Sequence, residues 1–387
     1  MLRIEFFFFK MFVLLSIFHD VVFATPVGKF RLLHFCIPVM YVIVFRHIKV
    51  VVRMKKYRKY FIVLFSALCY GGLTYFTSKF QSGTIRIFFS MILNFAVFYF
   101  FLFFLEIHKS RIGQILLFLK KFVLFLCVLT LLQWVGALIH IVPISQPGEG
   151  FLAVGRPDLF FNDPNWLAFY IVFAYMMVDV MSQWCGLNVS SRYRLVVFIA
   201  LLFIQSRILL LCFAMHYVLY CVAKYRKAWS LIPFVLLLLV CFTDTSILIN
   251  VLPERFVYDL VDSDNNPRWL DVMNISGEVQ WYHREMFGMG WGSLGSIADD
   301  FPYRNYDITI NVWPGQIYFD FGIVGVCGFA LVFLYTIFKV KGTTFKVIFV
   351  FFIINCCFHM PGYFLFTWVL LGLFVYTYKN SVKVTVK

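Results

Sequence analysis

The sequence is short of charge. Only 14% of its 387 residues are charged, against 62% hydrophobic and 21% aromatic. A soluble domain carries about 25% charged residues to cover its surface, so a soluble globular fold is excluded. The G-x-x-x-x-G-K-[ST] phosphate loop is missing, which argues against an ATP-driven pump. The G-x-S-x-G nucleophile elbow and the H-E-x-x-H zinc helix are missing too. Ten cysteines are present, but they form no C-x-x-C pair or Cys/His cluster, and none falls between Leu252 and Gly325. No disulfide framework, metal site or cofactor is expected. There is no internal repeat, no low-complexity tract and no soluble domain.

What is there is apolar sequence, with a mean hydropathy of +0.86. The expected fold is all-α: one polytopic membrane domain over residues 1–387, with about twelve transmembrane helices. Candidate spans start near residues 5, 30, 60, 85, 120, 165, 192, 208, 229, 315, 345 and 362. The opening stretch lacks a small-x-small cleavage site and reads as a retained first span. The pair at 192–223 is one apolar run interrupted by Ser206-Arg207. That interruption is either a tight turn between two spans or a polar step inside one.

Sidedness discriminates between the two. With the N-terminus cytoplasmic, the segments assigned to the cytoplasm carry 24 of the 34 Lys and Arg. Fusing the two spans would put "KYRK" and the basic tail outside, so twelve spans with both termini cytoplasmic are expected. The net charge of +15 is then a membrane signature, with anionic lipid headgroups rather than nucleic acid as partners. The segment 251–314 is the exception, with ten acids and four bases. It is expected to be one large outer loop, and a loop of that length is usually functional.

Three polar clusters fall on the expected outer side. The first is Arg156, Asp158, Asn162, Asp163 and Asn165 in "GRPDLFFNDPNWLAFY". The second is Arg207. The third is the long loop and its exit, with Arg268, His283, Arg284, Asn311 and Asp320. Arginine forks suit paired oxygens, so the clusters point to an anionic ligand such as a diphosphate. Each residue also has a structural alternative. Arg156 is either a ligand clamp or a snorkelling anchor. Asp163-Pro164-Asn165 is a good helix start, with Asp163 as cap, as well as a catalytic candidate. Arg207 can bond between helices. His283 is either a base or a surface residue. Trp269, Trp281, Trp291 and Trp313 either stack on sugars or anchor at the interface. Asp262-Ser263-Asp264 reads as loop solvation rather than a metal site.

Three stretches in order then carry a resemblance: "RPDLFFNDPNWLAFY", "QSRILLL", and "HREMFGMGWGSLG" followed by "NVWPGQIYFDFGIVGVCGFALVF". Over roughly residues 150 to 335 the chain resembles the bacterial O-antigen polymerase and ligase superfamily. Ligases of that family carry a His at the position of Asn311, so the resemblance leans to a polymerase. It implies transfer of a growing glycan from undecaprenyl diphosphate to another lipid-linked repeat, on the outer face of the bacterial cytoplasmic membrane. The partners implied are the undecaprenyl-diphosphate-linked oligosaccharide and membrane lipids. A chain-length regulator is a further partner that the resemblance allows. Arg156, Arg207, Arg268, Arg284, Asn165 and Asn311 are then the expected substrate-binding residues. His283, Asp163 and Asp320 are the candidate bases. Ligase-type transfer to an acceptor lipid and a flippase or transporter are the alternatives.

Overall fold

The computed structural model describes residues 2–225, 276–293, 313–359 and 364–381, leaving out 19–21, 26–27, 50–53, 79–80, 143, 145–154, 162, 188, 278 and 281. Among the described residues the regular structure is helical apart from one antiparallel hairpin of β1 (Val22–Thr25) and β2 (Gly28–Arg31). The all-α expectation missed this hairpin, because four-residue strands leave no periodicity to detect.

Helices begin near every expected start except 229, which lies outside the described residues. They are α1 (Leu2–Leu15), α2 (Leu32–Arg46), α3 (Arg58–Thr77), α4 (Gln81–Ile107), α5 (Ile112–Leu138), α6 (Pro164–Trp184), α7 (Ser191–Ile204), α8 (Arg207–Tyr225), α9 (Trp313–Lys339), α10 (Thr343–His359) and α11 (Leu365–Ser381). Five segments among the described residues are long and apolar enough to cross a membrane: Lys55–Thr77, Gln81–Ile107, Lys109–Leu138, Pro164–Trp184 and Trp313–Lys339. Leu32–Arg46, Ile208–Cys221 and Thr343–Cys357 are apolar but shorter. This is the pattern of a helical membrane protein.

The helices group into two compact units, each described by itself. One comprises Met1–Ile112, Pro267–Val340 and Cys356–Lys387. Its central helix is α4, against which α2, α3 and α11 pack. Buried Phe98, Phe100, Phe101 and Phe104 give α4 an aromatic spine. Phe9 of α1 stacks on Phe104 at 4.4 Å, and Trp368 of α11 meets Phe95 edge-on at 4.8 Å. Such pairs add to plain area burial, because ring edges are electropositive and faces electronegative.

α9 is broken inside this unit. Gly322 has φ 63° and ψ −160°, a backbone region open to glycine alone. The break abolishes the helical bonds from the Ile323 and Val324 amides to the Phe319 and Asp320 carbonyls. The segment 284–293 replaces them. Met289 N donates to Phe319 O at 2.7 Å and Gly290 N to Asp320 O at 3.1 Å. Ile323 N donates to Glu285 O at 2.8 Å and Val324 N to Met286 O at 3.2 Å. Four bonds thus stand in for two, and no backbone group at the break is left bare in an apolar environment. The same segment is tied to the end of α3: Trp291 N donates to Thr74 Oγ1 at 3.1 Å, and the Ser78 and Ser293 hydroxyls are 3.2 Å apart. Trp291 is buried over Gly71, where a Cβ would run into its ring.

The other unit comprises Gly113–Asn266 and Lys341–Asn355. Here α6 is central and is buried along nearly its whole length, from Leu167 to Ser182. It packs on α7 and α8. Those two helices are separated at Gln205, a left-handed cap with φ 57° whose amide returns to Leu201 O and Leu202 O. Ser206-Arg207 is therefore a turn between helices, and Arg207 is the first residue of α8.

A Cβ at position 322 would overlap the backbone of Glu285 and Met286. Gly322→Ala is therefore expected to cost about 1–3 kcal/mol from the backbone conformation alone. It should also undock the 284–293 segment, seen as a lower thermal midpoint and new protease cleavage within that segment.

Candidate functional site

The sequence-predicted residues fall into separate places. In the first unit, His283 and Arg284 open the segment docked on the α9 break. Helical residues at 276–277 and 279–280 precede them. His283 N donates to Gln280 O at 2.9 Å and Arg284 N to Val279 O at 3.0 Å. His283 is held at φ 53°, an uncommon conformation for a residue with a side chain. Its imidazole is exposed, and Arg284 beside it is half-buried. Gly288, Gly290 and Gly292 all have positive φ and let the chain approach Asp320 and Phe321 of α9, Ser78 after α3, and Gly83 and Ile87 of α4 in turn.

Asp320 has a different position. Its side chain is fully buried and Oδ1 accepts the Gly292 amide at 3.1 Å. The carboxylate thus holds the inserted segment in place. Trp291 is also buried, packed with Met91 and Phe95 of α4 and with Phe321, so it serves the core. Trp313 meets Phe329 edge-on at 4.8 Å, a helix-packing contact.

The second unit gathers the Arg156 cluster. Asp163 caps α6, with Oδ1 accepting the Asn165 amide at 2.7 Å and Pro164 in the first turn. This satisfies an otherwise orphan amide of the helix start. Arg156 is only 4% exposed. Its Nε donates to Ile204 O at 3.1 Å and its Nη2 to Asn165 Oδ1 at 3.1 Å. Ile204 is the last residue of α7, where free carbonyls and the helix dipole favour a cation. Arg156 thereby braces its loop against the end of α7 and the start of α6. Gln133 of α5 holds the same loop: its Oε1 accepts the amides of Asp158 and Leu159 at 3.1 and 2.9 Å, and its Nε2 donates to Asp158 Oδ1 at 2.9 Å. Arg268, Asn311, Asp262, Asp264, Trp269 and Trp281 lie outside the described residues.

Buried charge also occurs where the sequence reading placed none. Asp179 of α6 accepts from Arg194 Nη2 of α7 at 3.1 Å and lies 3.1 Å from His216 Nε2 of α8. Gln183 adds a fourth member through Nε2 at 3.0 Å. Arg194 also sits 3.8 Å from the Tyr220 ring centroid. The isolated Asp in "MMVDVM" was the overlooked signal. In the first unit, Lys56 meets Glu106 at 2.6 Å and Asn380 at 3.1 Å. Glu5 faces His47 at 3.5 Å and His108 at 3.3 Å. Burial, more than any neighbour, holds the His108 imidazole below its ordinary pKa, against the opposing pull of Glu5. Among the described residues, no group of three or more His, Cys, Asp or Glu side chains is placed to hold a metal ion.

Removing one member of a buried ion pair strands the other. Asp179→Leu is expected to destabilise the protein by about 3–5 kcal/mol. Asp179→Leu with Arg194→Leu should cost clearly less than the two single changes added together. Thermal unfolding in detergent micelles checks the cycle, and strictly additive costs would show that the pair is not coupled.

No family model, curated protein or solved structure matches the chain.

Proposed function

We propose that the chain is a lipid-linked glycan polymerase with twelve spans, acting at the outer face of a bacterial cytoplasmic membrane. Both termini lie in the cytoplasm, and 251–314 is the outer loop. The observation that carries this proposal is the inserted segment. A polar loop, tied to a broken span by four backbone bonds, presents an exposed His283 beside Arg284. The sequence resemblance supplies the substrate class.

In this mechanism a hydroxyl of the acceptor glycan attacks the anomeric carbon of the donor. The bond from that carbon to the diphosphate breaks, and its electron pair leaves with the lipid diphosphate. The diphosphate is a weak base, so it needs cationic contacts more than a proton. Arg284 offers one such contact, with Arg268 as a further candidate. The proton of the attacking hydroxyl goes to a base. His283 is preferred over the two aspartates, because Asp163 caps α6 and Asp320 holds Gly292 in the protein interior. Arg156 is assigned to bracing the start of α6, with any contact to diphosphate secondary to that.

The left-handed backbone at His283 separates chemistry from stability. Glycine adopts φ 53° without strain, so His283→Gly should fold at least as well as the wild type. It should nevertheless lose polymerisation, leaving single lipid-linked repeats to accumulate in cells. Glycan of wild-type length distribution from His283→Gly would remove the base assignment. The same result from Arg284→Ala would remove the polymerase mechanism.

A second function, a proton-coupled carrier, is favoured by the Asp179–Arg194–His216 cluster. Ionisable groups buried within spans are a common feature of transport paths. Asp179→Asn keeps the side-chain shape and separates the two. A carrier would lose turnover at normal protein level, whereas the polymerase would keep its product length.

A further inference from the structure

Two lysines in the first unit carry charge that no acid answers. Lys56, just before α3, donates to Glu106 Oε2 at 2.6 Å and to Asn380 Oδ1 of α11 at 3.1 Å. The Tyr57 hydroxyl donates to the same Glu106 oxygen at 3.1 Å. These bonds join the start of α3 to the end of α11, and they commit the Glu106 carboxylate to Lys56. One turn further along α3 the two helices meet again. There Lys379 Nζ of α11 lies 5.5 Å from the ring centroid of Tyr60 and 5.4 Å from that of Tyr378. Lys59, next to Tyr60, is close enough for its charge to repel that of Lys379. Among the described residues, neither lysine has a carboxylate within ion-pair distance.

Like charges held together raise the energy of a site, and an anion placed against both lowers it. The tyrosine faces attract an ammonium but supply no full negative charge. The surroundings narrow the anion further. Lys59 lies near the start of the segment Lys55–Thr77, which is long and apolar enough to cross a membrane. That places the pair at headgroup depth, with Tyr60 and Tyr378 as interfacial rings. Three and four residues on, along the same face of α3, Ile62 and Val63 are apolar and exposed. A cationic pair followed by an apolar face matches a phosphate head followed by hydrocarbon. A soluble anion would use only the first of these, and a zwitterionic lipid would bring a cation along with its phosphate.

We propose that Lys59 and Lys379 form a fixed site for the phosphate of one anionic bilayer lipid, whose chain lies along Ile62 and Val63. The site bridges α3 and α11 and is distinct from the diffuse attraction of basic loops to a charged membrane. It is independent of the glycan chemistry and holds whether the protein is a polymerase or a carrier.

The test is a lipid titration of the full chain in mild detergent, followed by native mass spectrometry. The probes are phosphatidylglycerol, phosphatidylcholine with the same acyl chains, and inorganic phosphate. Wild type should bind one phosphatidylglycerol with an apparent Kd about tenfold below that for phosphatidylcholine, and should not hold inorganic phosphate. Lys59→Met with Lys379→Met keeps the apolar stems and should weaken phosphatidylglycerol binding about tenfold. Lys49→Met with Lys109→Met removes the same charge from exposed positions outside the cluster and should leave that binding unchanged. Equal affinity for the two lipids, or an equal loss in both double variants, would reduce the site to bulk attraction and overturn the proposal. Inorganic phosphate held as tightly as phosphatidylglycerol would overturn it too, in favour of a soluble anion.

Discussion

The structure depends on one constraint: a backbone amide or carbonyl in an apolar environment must have a partner. Gly322 breaks α9 and exposes two amides and two carbonyls. The chain answers with its own segment 284–293, which meets all four. Everything near the break follows from that exchange. Asp320 is buried because its carboxylate steadies Gly292. Trp291 is buried because the inserted segment must be covered by apolar surface, and Gly71 leaves room for its ring. His283 and Arg284 sit where the segment leaves the break, held by backbone bonds instead of by their side chains. A polar loop fixed in this way can offer side chains to a ligand without reordering first, which lowers the entropic cost of binding.

The same constraint governs charge. Arg156 looks like a free cation in the sequence, yet its donors meet the end of α7 and Asn165. Asp179, Arg194 and His216 join three helices through one carboxylate. Polar groups in a low-dielectric setting are either paired or costly, so their presence marks points where helices are held in register. Position alone thus does not separate a ligand-binding arginine from a bracing one. Exposure of the side chain and the identity of its partners do.

Much of the helical layout was legible. The apolar runs marked where helices begin, and Asp163-Pro164 announced the start of α6 through cap chemistry that is local to three residues. The Ser206-Arg207 break was legible through sidedness, and Gln205 supplies the turn. The site was legible only in part. His283 and Arg284 were found as residues, but the reason they are held in place was not. Asp320 was one of three candidate bases, named as an acid near a span start, and its structural partner lies 28 positions away in the chain. Asp179 was missed, and Trp291 was named without its core packing, for the same reason: their neighbours come from other helices.

The sequence by itself determined the membrane character, the helical class and most helix starts. Those properties follow from hydropathy summed over a window and from capping within a few residues. Only the tertiary structure decided which polar residues are structural and which remain exposed. That depends on contacts between distant segments: the loop that mends α9, the carbonyl that Arg156 caps, and the carboxylate that Arg194 and His216 share. No local pattern encodes such pairings, because the free energy of burying a polar group is set by the partner that arrives from elsewhere in the chain.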